Sequence, residues 1–276
     1  MTMSLNLSLL QSKTKPIIVI IGGTSGVGLA LAKEHQKLGW QVVVVGSNLE
    51  KIEALRTAHP DLHIYQCDIT DIGSRIALLS QLEDLAFTRL IYCAGWYLNE
   101  RVHQLDKVDS ARMLAINLQA FHAVFDWASR QLMAKSTTEP AKNDCSQQVI
   151  QPALICLSSM AGVVNYPYAS LYAKCKRAMI ATASAYRLAL APFGIQVNCM
   201  AMGYVNTQTL RDLNYGDASH KPFIMEEHDA VAHIMQAISS NDELAIFPKK
   251  MRFLTHALNK LPSPVLNWAM RQKLDK

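Results

Sequence analysis

Short apolar runs rich in β-branched residues alternate along this chain with longer stretches of helical period, the pattern of repeated βαβ units. Residues 16–21 form the first run and end in glycines; residues 29–38 have the helical spacing that follows. Further strands are expected at 41–45, 63–69, 89–94, 153–158 and 195–201, with a last one at 243–247. The spacing predicts helices through 51–58, 108–135, 168–191 and 229–239, whereas 136–148 is polar and reads as a loop. Strands that are apolar on both faces belong to a parallel sheet covered on both sides. Right-handed crossovers then make that sheet doubly wound. No internal repeat and no Pro- or Ser-rich linker divides the chain. One α/β domain is expected over residues 1–248, with 249–276 an extension packed on it.

Composition agrees with a folded globular domain. The chain has 276 residues, 50% of them hydrophobic and 18% charged, enough to bury a substantial core. The net charge of +5 lies at one end: seven Lys or Arg and the single acid Asp275 fall within 249–276. The first 248 residues hold 20 bases and 21 acids, which removes any argument for a nucleic-acid groove. The six cysteines form no C-x-x-C pair, and Cys67, Cys93, Cys156 and Cys199 fall in expected strands. They read as small core residues in a reducing compartment, and no disulfide framework or metal site is expected. The first fifteen residues lack the basic and continuous apolar regions of a secretory signal, and no run of about 18 apolar residues is present. A soluble, cytoplasmic protein without a membrane span is expected.

Candidate chemistry sits at two places. Gly22, Gly26 and Gly28 lie between an apolar strand and a helix. In that context the first glycine allows a tight turn, the second lets phosphates approach the backbone, and the third lets helix and sheet pack closely. After the second strand, Gly46-Ser47-Asn48 offers neither the acid that holds the ribose 2′-hydroxyl of NAD nor an arginine. Without that acid a 2′-phosphate meets no repulsion, and Ser47, Asn48 and Lys51 are placed to contact one. NADP(H) is therefore expected over NAD(H).

Tyr172 and Lys176 are four apart on a predicted helix and share a face, and Ser159 stands at the end of strand five. A nearby cation favours the phenolate of a tyrosine, and a serine hydroxyl can hold a substrate oxygen as charge develops on it.

These residues resemble the short-chain dehydrogenase/reductase family over about residues 16–248. Its T-G-x-x-x-G-x-G reads Ile21-Gly-Gly-Thr-Ser-Gly-Val-Gly28, its Y-x-x-x-K is Tyr172 to Lys176, and its catalytic serine matches Ser159. Its helix asparagine matches Asn117, and its acid near the adenine matches Asp68 in Cys-Asp-Ile-Thr-Asp71. The resemblance implies a Rossmann-type sheet of seven strands. It implies Tyr172 as general acid/base, Lys176 on the nicotinamide ribose, Ser159 orienting substrate and Asn117 anchoring a relay water. It also implies a cofactor site of Gly22, Thr24, Ser25, Gly26, Val27, Gly28, Ser47, Asn48, Asp68, Ile69, Ala94, Gly95, Gly203, Val205 and Thr207, beside Tyr172 and Lys176. Two departures stand out: N-N-A-G reads Tyr92-Cys-Ala-Gly95, and P-G reads Met202-Gly203.

The implied activity is hydride transfer between a nicotinamide dinucleotide and a small-molecule alcohol/carbonyl pair, in a homodimer or homotetramer. A dinucleotide sensor without catalysis is the alternative. Residues 204–227 are expected to shape the substrate pocket, with Leu213, Tyr215, Phe223 and Met225 as an apolar wall. From 247 onward, helical spacing and interspersed bases predict an amphipathic segment that packs on the domain or touches lipid.

Overall fold

The computed structural model describes residues 15–98, 106–138, 150–167 and 169–271. Seven strands form one sheet: β1 (Ile17–Ile21), β2 (Gln41–Gly46), β3 (His63–Gln66), β4 (Arg89–Tyr92), β5 (Ala153–Ser159), β6 (Gln196–Met202) and β7 (Leu244–Phe247). Their order is β3-β2-β1-β4-β5-β6-β7, with every neighbouring pair parallel. The expected doubly wound α/β sheet is present. β1 shows why its residues are apolar throughout. Val19 and Ile21 join one core with Phe121, Val124 and Met179, while Ile18 and Ile20 join the other with Leu31 and Ile234. All four β1 side chains are 1% exposed or less, and each such burial contributes about 1.5–3 kcal/mol.

The helices are α1 (Gly26–Lys37), α2 (Leu49–Ala58), α3 (Ile72–Gln81), α4 (Lys107–Leu114), α5 (Phe121–Thr138), α6 (Leu171–Leu190), α7 (Gln208–Asp212), α8 (Glu227–Ser239), α9 (Lys249–Asn259) and α10 (Ser263–Arg271). None is long and apolar enough to cross a membrane among the described residues.

Several boundaries differ from the sequence expectation for physical reasons. β4 stops at Tyr92 because the next two amides, of Cys93 and Ala94, both donate to the Ile21 carbonyl (2.8 and 3.0 Å), which ends the ladder. The helix expected at 108–135 is not continuous: a π-helical turn, Ala115–Ala120, separates α4 from α5. The segment expected as a loop from 136 is helical to Thr138, and 139–148 lie outside the described residues. α6 begins at Leu171, where the Ser170 side chain accepts from the Ala173 amide (3.2 Å). The basic C-terminal stretch is two helices, parted at Pro262. Cys156 and Cys199 face each other in register on β5 and β6, whereas Cys67 and Cys93 lie one residue beyond their strands. The cysteines are free among the described residues; Cys145 lies outside them.

One buried polar pair ties α1 to the sheet. His35 is fully buried; its Nδ1–H donates to Leu31 O (2.8 Å), so its Nε2 accepts from Arg89 Nη1 (3.0 Å). Burial, with the Arg89 charge adding to it, lowers the imidazole pKa to about 4. A neutral His35 in the fold and a titrating one in the unfolded chain make stability fully present above pH about 6.5. It is lost as pH falls toward 4. The expected loss is about 3 kcal/mol. Melting temperature measured from pH 7 to 4 should fall steeply in the wild type and less in His35→Gln; parallel profiles would exclude His35 as the cause.

Candidate active site

The sheet order reverses between β1 and β4. A crevice opens outside the carboxyl ends of strands at such a switch point. Gly22 has φ +82°, a left-handed value that favours glycine, and a Cβ there would stand 2.7 Å from Ala94 N. A Cβ on Gly28 would strike the Gly22 carbonyl oxygen. The backbone thus forms a close-fitting turn that leaves no space for side chains at Gly22 and Gly28. Ser25 precedes α1 without a side-chain capping bond, which leaves the first-turn amides open to an anion. Thr207 lies across this turn, its methyl 3.3 Å from a Cβ built on Gly26. Thr24 is buried against Gly46, and Val27 packs into the core, so its side chain serves the fold.

The adenine-side candidates lie after β2 and β3. Ser47 is exposed, and Asn48 is occupied locally, its Oδ1 accepting from the Lys51 amide (2.8 Å) to cap α2. Asp68 Oδ1 accepts from Thr70 N (2.9 Å) and Oγ1 (2.7 Å), and the Ile69 carbonyl accepts from Arg75 (2.8 Å).

The chemical groups converge where β5 meets α6. Ser158 Oγ donates to the Lys176 carbonyl (2.8 Å), and a Cβ on Gly162 would stand 2.5 Å from Arg177 N. These contacts draw α6 against the strand end and place Tyr172 in a hydrogen bond with Ser159. Ser159 Oγ also accepts from the Ala161 amide (3.2 Å). Burial raises the Tyr172 pKa to about 12, opposed by the Ser159 bond and reinforced by Tyr97, Tyr204 and Cys175. The phenol is therefore held protonated at neutral pH.

Lys176 Nζ lies 5.7 Å from the Tyr172 ring centre and is buried. It donates to Leu157 O (3.1 Å) and Met179 Sδ (3.4 Å), leaving one of its three N–H groups for a ligand. Burial lowers its pKa to about 8, opposed by the thiols of Cys156, Cys199, Cys175 and Cys93.

Asn117 stands within the π-helical turn. Its Nδ2 donates to Trp96 O (2.9 Å) and to Met113 O (3.0 Å), the carbonyl that a regular α-helix would give to the backbone amide of residue 117. Its Oδ1 is buried without a partner. A Cβ on Gly95 would sit 3.3 Å from that oxygen and 3.4 Å from Lys176 Nζ, so the glycine keeps open the space between them. An orphaned acceptor beside a spare ammonium donor suits a bound hydroxyl or water.

The structure therefore brings Ser159, Tyr172, Lys176, Asn117, Ala94 and Gly95 to one place. Tyr92, in place of the family asparagine, donates its hydroxyl to the Ile116 carbonyl (2.6 Å) and ties β4 to the π turn. Gly203 N donates to Phe247 O (2.9 Å), and Val205 pairs with Met225. The expected apolar wall is incomplete: Met225 is buried in the core and Tyr215 is 97% exposed.

Tyr97 is a site residue that no sequence motif marked. Its ring stands edge-on to Tyr172 at 4.9 Å. Its neighbour Trp96 lies under the Arg112 guanidinium, 4.0 Å from the ring centre. Their position directly after Gly95 was the available signal.

Comparison with known proteins accords with this geometry. The family model described as short chain dehydrogenase matches residues 16–218. A 3-oxoacyl-[acyl-carrier-protein] reductase FabG of Rickettsia bellii is 26% identical over 197 residues, 71% of this chain and 75% of the relative. Among solved structures, a short-chain dehydrogenase from Sphingobium yanoikuyae in complex with NADPH has TM-score 0.72 at 19% identity, over 94% of each chain. A bulky-bulky ketone specific alcohol dehydrogenase from Comamonas testosteroni has TM-score 0.71 at 16% identity, over 90% of this chain and 95% of that one.

Proposed function

The chain belongs to the short-chain dehydrogenase family, a family of oxidoreductases, and we propose that it reduces the carbonyl of an apolar ketone or aldehyde with NADP(H). The observation that carries this reading is the Tyr172 phenol, hydrogen-bonded to Ser159 and kept protonated one helical turn from Lys176. A carbonyl reductase needs a proton donor at that point when negative charge develops on the substrate oxygen.

Gly22, Ser25, Gly26 and Gly28 would hold the pyrophosphate, with Thr207 closing over it. The spare Lys176 donor and Asn117 Oδ1 would meet the ribose and a relay water. Asp68, Ile69, Ala94 and Gly95 would line the rest of the dinucleotide, and Gly203 and Val205 its nicotinamide end. A reduced nicotinamide bound there supplies the hydrogen and electron pair for the carbonyl carbon. Tyr172 Oη donates its proton to the substrate oxygen, and Ser159 Oγ holds that oxygen by a hydrogen bond. NADP(H) is favoured because Gly46-Ser47-Asn48 brings no acid to the 2′ position. NADPH in the Sphingobium relative agrees with that choice. The name of the Rickettsia relative makes 3-oxoacyl thioesters the first substrates to try. Assembly as a homodimer or homotetramer is part of the same proposal.

The test is titration with NADPH and with NADH, followed by loss of reduced-nicotinamide absorbance on adding ketones, aldehydes and 3-oxoacyl thioesters. Tighter NADPH binding with turnover of an apolar carbonyl is expected. Tight dinucleotide binding without turnover across the panel would replace this reading with that of a sensor.

A further inference from the structure

The last two helices are built the wrong way round for a body buried in its own domain. α9 buries Thr255, at 4% exposure, and turns Phe253 outward at 77%. α10 anchors through Leu266, at 7%, and leaves Val265 at 47% and Trp268 at 63%. Val265 and Trp268 are three apart and share a helix face. Leu254 and Leu261 are also more than a third exposed. Large apolar side chains left exposed on two successive helices mark a binding surface.

Charge identifies what the surface meets. Residues 249–271 contain no Asp or Glu, and Lys249, Lys250, Arg252, Lys260 and Arg271 are all exposed. Large apolar side chains interleaved with bases on short amphipathic helices suit the interface of an anionic bilayer, where Trp and Phe enter the acyl boundary and the bases meet the headgroups. A second copy of this chain is the poorer partner. A two-fold contact across this face would oppose the same positive clusters with no acid between them.

α9 itself lies beside the candidate active site. α9 follows Pro248, whose Cδ lies 3.1 Å from a Cβ built on Gly203, and it ends at Asn259, whose Nδ2 donates to Val163 O (3.4 Å) just beyond the Ser159 turn. Lys250 Nζ lies 5.8 Å from the ring centre of Phe223, itself 45% exposed on the segment expected to shape the substrate pocket. We infer that α9 and α10 dock the protein on an anionic lipid bilayer and set the site's entrance at its surface. Delivery of an apolar carbonyl from the bilayer rests on the reductase reading; the docking does not.

The test is cosedimentation of the full chain with vesicles of pure phosphatidylcholine and of phosphatidylcholine and phosphatidylglycerol in equal parts. Binding to the anionic vesicles alone is expected, with a blue shift of tryptophan emission from Trp268 and release by salt. Lys249→Gln/Lys250→Gln/Arg252→Gln should weaken the partitioning on the order of 100-fold. Phe253→Ser/Trp268→Ser should abolish it while leaving the melting temperature unchanged, since both side chains are exposed. No sedimentation, equal binding to both vesicles, or binding indifferent to these variants would overturn the inference. So would a wild-type dimer in light scattering that Phe253→Ser/Trp268→Ser converts to monomer. Sedimentation needs no turnover, so failure of docking and failure of the reductase reading are separately visible.

Discussion

Tyr172→Phe is expected to lower carbonyl turnover by about 10³-fold while leaving dinucleotide affinity within about twofold of the wild type. The substitution removes one oxygen and keeps the ring that packs edge-on against Tyr97 at 4.9 Å and lies 5.7 Å from Lys176 Nζ. The cofactor turn, Asn117 and the Lys176 donors are untouched, so binding and chemistry part company. Steady-state rates beside fluorescence titration of NADPH measure both. Near-normal turnover would assign the proton to another donor and remove Tyr172 from the mechanism.

The direction of pH dependence follows from the same group. In the proposed reduction the protonated phenol is the donor, so the rate should hold through neutral pH and fall as pH approaches the Tyr172 pKa, raised to about 12 in the free protein. Alcohol oxidation uses the phenolate and should rise with pH over the same range. A bound cationic nicotinamide favours the phenolate and shifts the oxidation profile to lower pH.

Much of the fold, and the members of the candidate site, can be read from the sequence because both rest on local patterns. β1 is apolar at every position because two cores flank it, and a run such as Ile17–Ile21 can be read without knowing its neighbours. Ser159, Tyr172 and Lys176 were legible because one helical turn and one strand end suffice to place them. What escaped depends on contacts distant in sequence or on faint local signals. The π turn around Asn117 widens the helix without breaking its apolar rhythm. α3 contains Gly73 and two serines and exposes Ile72 and Ile76, so its amphipathic stripe is blurred. It starts because Asp71 accepts from the Ser74 amide at 2.7 Å. Tyr97 belongs to no motif, and only the fold sets it against Tyr172. The break in the basic C-terminal stretch was available in Pro262 and Pro264, the residue types that end and restart helices.

Gly22→Ala should disable the protein from the other end, and Gly39→Ala separates its two causes. Both glycines have φ near +80°, at +82° and +83°. Either alanine therefore meets the left-handed cost of about 1–2 kcal/mol. At Gly39 that is all, because nothing lies within 4 Å of the added carbon. At Gly22 the carbon would stand 2.7 Å from Ala94 N and 2.9 Å from Ala94 Cα, backbone atoms held by the Ala94 amide's bond to Ile21 O (3.0 Å). Relief requires β1 and β4 to separate at the switch point where the dinucleotide would sit. Gly39→Ala should melt about 2–4 °C lower with NADPH affinity intact. Gly22→Ala should melt about 10 °C lower and lose on the order of 100-fold in affinity, because the turn that presents the α1 amides no longer closes. If the two variants melt together and bind NADPH alike, the β1–β4 crevice is not the cofactor cradle that its close backbone contacts describe.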